Sequence, residues 1–178
     1  MTEPLNILNF AYGSNMLSRR LLARVPSAKK KSIGILRGYE LRWHKRSIDG
    51  SGKCDVVKVN NAAAYVYGVI YEIAGSEKNI LDKAEGLGAG YGEIEIAIET
   101  QTGSVTAFLY FATDVDQTLE PYTWYKELVI AGAMENALPA EYVLMIERTP
   151  ATIDSDDERS AKNLSLSRKE FSKPQENL

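Results

Sequence analysis

Glu85 closes the helix-like run ILDKAEG and stands directly before the glycine-rich stretch GLGAGYG. A carboxylate at a helix end beside glycines is able to face a cavity rather than open water, and carboxylates so placed are candidates for acid–base chemistry. Most helical glutamates are solvated, and that is the alternative reading of Glu85. The second candidate is the junction ILNFAYGSNML, in which an apolar run reaches Tyr12-Gly13-Ser14-Asn15 and restarts as a helical pattern. Backbone N–H groups at such a junction converge, with Gly13 permitting the turn and Ser14 or Asn15 serving as N-cap, and together they suit an anion or a developing oxyanion. The bland alternative is an ordinary Tyr-Gly-Ser-Asn turn.

Elimination narrows the chemistry further. The 178 residues contain one histidine, His44, and one cysteine, Cys54. A zinc site built from these types has only two candidates, and a Ser-His-Asp or Cys-His arrangement must use His44. His44 lies in the basic stretch LRWHKRS and reads as a solvated strand residue; Cys54 reads as a small strand residue. Carboxylates, hydroxyls and backbone dipoles remain, with no metal and no cofactor expected. GLGAGYG does not fit the dinucleotide fingerprint, because Glu93 occupies its final glycine position.

Composition sets the class. Charged residues make up 25% of the chain and hydrophobic ones 44%, as in ordinary globular domains. A formal net charge of −3 gives no reason to expect nucleic acid as a partner. Lys29, Lys30 and Lys31, with Arg37, Arg42, Lys45 and Arg46, read as a solvated basic face. No apolar run is long enough to span a bilayer, and MTEPLNILNF lacks the basic start of a signal peptide. With one cysteine and hence no intrachain disulfide, a cytoplasmic protein without membrane partners is expected.

The elements that must position these residues follow from periodicity. Residues 5–12 read as a strand and 15–25 as a helix stopped before Pro26. Residues 32–47 alternate as one strand bent at Gly38, and IDGSGK is a turn. CDVVKVN and AAYVYGVIYEI are further strands, and Ser76 is placed to cap a short helix turning Ile80, Leu81 and Ala84 inward. Strands 92–99 and 105–112 pair across Thr102-Gly103, with Glu93, Glu95 and Glu99 on their polar face. Helices are expected over 122–137 and 140–148. From Asp154 the chain turns polar, with a capping box at Ser155–Glu158. Residues 1–153 thus read as one domain and 154–178 as a tail, partly helical or mobile, whose removal is expected to leave the fold intact. This element order indicates an α+β fold.

FAYGSN, LDKAEG, YGEIEIAI and WYKELVIAGAMENALPAEY occur in an order and spacing that resemble the γ-glutamylcyclotransferase family over residues 5 to 148. The resemblance implies a small, mixed, closed β-barrel with flanking helices and a cavity at one mouth. It implies that Glu85 is the catalytic acid/base and that Phe10, Ala11, Tyr12, Gly13, Ser14, Asn15 and Tyr125 bind the substrate. Tyr12 and Tyr125 also read as wall and packing residues. The implied reaction closes the α-amine of a γ-glutamyl compound onto its γ-carbonyl, releasing 5-oxoproline and an amine or amino acid. A homodimer is compatible with this reading. The alternatives are a non-catalytic ligand-binding or interaction protein of the same fold and a cyclotransferase acting on a γ-glutamyl amine or biosynthetic intermediate. The glutathione-specific branch carries Tyr-Gly-Ser-Leu where this chain has Asn15.

Overall fold

A computed structural model describes residues 5–168. Five strands close a barrel in the order β1 (Asn6–Ala11), β5 (Tyr65–Ala74), β2 (Lys29–Arg37), β6 (Tyr91–Thr100) and β7 (Gly103–Ala112). Neighbouring strands run antiparallel except at the seam, where β1 meets β7 in parallel through Asn9 and Phe108. The barrel is therefore mixed and closed, as the family resemblance implied. Phe10, Leu36, Ile70, Ile98 and Leu109 are fully buried and form its filling. Such a filled interior leaves room for a ligand only at the rim.

The expected single strand over 32–47 is two strands. Gly38 has φ +74°, a left-handed conformation that turns the chain out of the barrel. Beyond it, β3 (Tyr39–Arg46) pairs with β4 (Gly52–Lys58) in a separate two-stranded sheet. That sheet lies against β7 and lays Lys45, Cys54 and Asp55 along the barrel mouth.

The expected helix over 15–25 is also divided. Ser14–Met16 form a 3₁₀ turn, and α1 covers only Ser18–Leu22. Neither is capped by a side chain, so Ser14 and Asn15 are not N-caps. α2 (Lys78–Glu85) begins without a cap from Ser76, and it buries only Leu81, while Ile80 and Ala84 face outward. It ends at Gly86 in the left-handed conformation. β6 and β7 pair Thr100 with Gly103, which puts the hairpin turn at Gln101-Thr102, one residue earlier than expected.

α3 (Thr123–Glu135) is buried along Trp124, Tyr125, Leu128, Val129 and Ala133. Its last turn holds the 14–18 segment. A Cβ on Gly132 would lie 2.6 Å from the Leu17 nitrogen, so the helix and this segment touch backbone to backbone. Asn136 Nδ2 donates to the Met16 carbonyl at 2.9 Å, and so does the Tyr71 hydroxyl at 2.9 Å. Glu135 accepts from the Ser18 backbone N–H at 2.9 Å and from its hydroxyl. α4 (Ala140–Glu147) follows Pro139.

The polar segment after Ile153 contains α5 (Asp157–Ser167), which packs on α3 and brings Leu164 and Leu166 against the core. Its N-cap is Asp156, which accepts the Arg159 N–H at 2.9 Å, in place of the expected Ser155 box. Asp154 is buried and accepts the Trp124 indole N–H at 2.7 Å and the Arg159 guanidinium. The expectation for the final residues, 169–178, lies outside the described residues.

Candidate active site

Two connected hollows open at the barrel mouth. The inner one, about 30 Å³, is lined by Phe10, Ala11, Tyr12, Gly13, Ser14, Asn15 and Glu85, together with Asn9, Cys54, Tyr91 and Tyr110. It has room for roughly one water-sized group, such as a carbonyl or carboxylate oxygen. The outer vestibule is about 370 Å³ and shares Ser14, Glu85 and Tyr91 with the inner cavity. Tyr125 lines this vestibule. The eight residues singled out in the sequence are thus brought to one place.

Glu85 arrives from the end of α2 with its side chain about one-fifth exposed. Asn15 Nδ2 donates to its Oε1 at 2.9 Å, and Arg24, just past α1, forms an ion pair with the same oxygen. Arg24 also donates to Asn15 Oδ1 at 2.9 Å. Asn15 therefore works through both ends of its amide, orienting a carboxylate and a guanidinium together. The sequence reading missed Arg24, because a pair separated by 61 residues leaves no local periodicity.

The loop differs from the expected helix N-terminus. Met16 and Leu17 N–H groups are consumed by the turn, donating to the Gly13 and Ser14 carbonyls. Among the described residues, the Ser14 and Asn15 N–H groups donate to no backbone carbonyl. The Gly13 N–H likewise donates to no backbone carbonyl, and these three amides, lining the same cavity as Glu85, are available donors.

The aromatic walls are fixed by hydrogen bonds. Tyr12 donates its hydroxyl to the Tyr110 carbonyl, and both residues line the inner cavity. Tyr91 donates to the Cys54 carbonyl at 2.7 Å, and Tyr125 accepts the Cys54 N–H at 3.2 Å. Burial raises all three phenols well above their ordinary range, which leaves them protonated at neutral pH. Cys54 is buried against Gly13, with its thiol pushed up to about 12 by burial. Such a thiol is a poor nucleophile. Cys54, Tyr91 and Tyr110 were not foreseen here; their strand alternation reads only as a half-buried sheet.

His44 is not solvated. Its Nε2 lies 2.8 Å from Asp55, whose other oxygen accepts the Ala112 N–H at 2.7 Å. This pair ties the small sheet to the barrel. Among the described residues, no group of three His, Cys, Asp or Glu side chains is arranged to hold a metal ion.

Residues 65–146 match the model of the AIG2-like family. γ-Glutamylcyclotransferases of Bos taurus and Homo sapiens are each 34% identical over 143 residues, covering 77% of this chain and 75% of theirs. A solved structure of a γ-glutamyl cyclotransferase superimposes with a TM-score of 0.78 at 27% identity, covering 89% of this chain and 99% of its own. The barrel, its helices and the sequence blocks around Asn15, Glu85 and Asn136 thus agree with one another, and the chain belongs to the γ-glutamylcyclotransferase family.

Proposed function

We propose that this protein converts γ-L-glutamyl amino acids, or close γ-glutamyl conjugates, to 5-oxoproline and the free amine component. The observation that carries this reading is the Glu85 carboxylate, held by Asn15 and Arg24 beside the free Ser14 and Asn15 amides at the boundary of the two hollows. The inner cavity takes the carbonyl end of the glutamyl head, and the vestibule takes the rest. Glu85 removes a proton from the α-ammonium, and the freed nitrogen forms a bond to the γ-carbon. The carbonyl oxygen gathers charge against the loop amides. Glu85 returns the first proton to the nitrogen of the departing half, the γ-carbon–nitrogen bond to that half breaks, and the second proton left on the ring nitrogen passes through Glu85 to the released amine, which leaves as an ammonium. Atoms balance without water or a redox partner.

Two effects supply the rate. Holding amine and carbonyl in a ring-closing pose is worth up to about 7–11 kcal/mol in favourable intramolecular cases. An oxyanion donor contributes about 10²–10³ in rate. Tyr125, kept protonated by burial, supports the vestibule wall against which the departing half lies. Phe10, Ala11, Tyr12 and Gly13 shape the inner cavity.

No helix of the described residues is long and apolar enough to cross a membrane. A cytoplasmic setting and a homodimeric assembly belong to the same proposal; the single cysteine suits a reducing compartment, and sedimentation velocity measures the assembly. The direct test of activity is 5-oxoproline release from a panel of γ-glutamyl compounds. An α-N-acetylated member should be inert, because its nitrogen cannot attack; its turnover would indicate simple hydrolysis instead.

A further inference from the structure

The vestibule is far more basic than the rest of the molecule. Arg20, Arg24, Lys45, Lys53 and Lys83 line it, against the carboxylates of Asp49 and Glu85. Arg24 is matched by Glu85, and Lys53 by Asp49 at 2.8 Å. Five cations against two anions leaves Arg20, Lys45 and Lys83 uncompensated, in a chain whose net charge is −3. Lys83 is exposed and water solvates it.

Lys45 is different. It is the member of the expected solvated basic face that the fold buries, with only 8% of its surface exposed. Its Nζ rests 4.7 Å from the centre of the Tyr91 ring, and among the described residues it has no hydrogen-bond or ion-pair partner. Gly90 is shaped around it, since a Cβ there would lie 3.1 Å from Nζ. Arg20 repeats the pattern across the vestibule: among the described residues its Nε is buried without a partner, and its one side-chain hydrogen bond goes to the neutral Asn163 at 3.3 Å. Burial lowers the proton affinity of both, Arg20 to about 10, and outweighs the opposing pull of the carboxylates around them, Glu85 for both and Asp114 and Asp49 for Lys45, none of which forms a hydrogen bond or ion pair with either cation. A half-buried cation of this kind is stabilised by an anion that arrives with the ligand.

We propose that Lys45, supported by Arg20, is a specificity-determining residue that binds an acid group on the departing half of the substrate. This rests on the cyclotransferase reading, and it selects between the two kinds of departing group that reading allows. Compounds whose departing half carries a carboxylate are good substrates; those releasing a neutral alkyl amine are poor ones. A second carboxylate on the departing half improves the substrate further, because Arg20 is available to meet it.

The test pairs γ-glutamyl-alanine with γ-glutamyl-ethylamide, which differ only by the carboxylate, and adds γ-glutamyl-aspartate. The wild-type kcat/KM should favour alanine over ethylamide by about 10–100-fold, the range for a hydrogen bond to a charged group. Aspartate should be at least as good as alanine. Lys45→Met should bring the alanine-to-ethylamide ratio to within about three-fold, and Lys45→Arg should restore most of it. The wild-type ratio should also fall when salt is raised from low to high, a readout that needs no variant. Equal turnover of alanine and ethylamide compounds by the wild type, or an unchanged ratio in folded Lys45→Met, would overturn the inference while leaving the cyclotransferase reading in place. Release of 5-oxoproline from none of the three would overturn both.

Discussion

Under the proposed mechanism, replacing Glu85 with glutamine removes the proton carrier while leaving the shape of the site. The amide keeps an oxygen able to accept from both Asn15 Nδ2 and Arg24, so the geometry of the pair survives. What is lost is the charge opposite Arg24. Both side chains of that pair are only about one-fifth exposed, so leaving Arg24 against a neutral amide costs about 1–3 kcal/mol, with the hydrogen bonds retained. For a chain of this length each kcal/mol lowers the melting temperature by about 2–4 °C. Turnover should respond on another scale. General acid–base catalysis by one positioned group contributes about 10²–10⁴, equivalent to roughly 3–5 kcal/mol of barrier. The assay is 5-oxoproline release under saturating γ-glutamyl-alanine, run beside thermal unfolding of the same preparation. A variant that unfolds at nearly the wild-type temperature yet retains turnover within about five-fold would refute the assignment of Glu85 as acid/base.

Gly132→Ala should destabilise the fold by about 1–3 kcal/mol and raise KM, because the added methyl meets the Leu17 backbone and moves the 14–18 segment; unchanged unfolding and kinetics would contradict the contact. Ending the chain before Asp154 should lower the melting temperature by more than about 5 °C, since it uncovers α3 and leaves the Trp124 indole without its acceptor. Arg159 holds the Asp154 carboxyl well below the usual carboxylate range, so its contribution is present above the unfolded value near pH 4 and is lost as pH falls through the lower folded value. The melting-temperature gap between wild type and Asp154→Asn should therefore be full at pH 6 and shrink only below about pH 4; a gap independent of pH down to pH 2 would remove the ionic explanation. Cys54 should resist iodoacetamide at pH 8 in the folded protein and react once unfolded, and chelator treatment should leave turnover intact; activity lost to chelator and restored by one metal would overturn the metal-free mechanism.

The readable parts of this fold were those governed by local alternation and backbone shape. Ile94, Ile96 and Ile98 against Glu93, Glu95 and Glu99 locate β6 to within a residue at each end. The glycine break after Glu85 correctly places that carboxylate at a cavity rim. What stayed hidden depends on meetings between distant segments. Periodicity could not distinguish a bent strand from a change of sheet at Gly38, and the latter is what brings Lys45 to the vestibule. A basic run reads as solvated until one member is found against Tyr91. Polar composition concealed the docking of α5, because the anchor is itself a buried aspartate joined to an indole and a guanidinium. The block GAMEN was recognisable in outline, but its contribution as the seat of the 14–18 segment emerged only from the contacts of Gly132, Glu135 and Asn136.

Those contacts carry a consequence for how the protein acquires its activity. Asn15 meets Glu85 across 70 residues, and Ser18 meets Glu135 across 117. The barrel seam between β1 and β7 spans a similar stretch of chain. Closing such long loops is slow and comes late, since the entropy is lost before the contacts are gained. A chain emerging from synthesis therefore carries all the residues of the barrel mouth in sequence before it has a barrel mouth in space. Recovery of turnover during refolding should lag behind the return of β-sheet signal and coincide with burial of Trp124, making catalysis a reporter of the last step of folding.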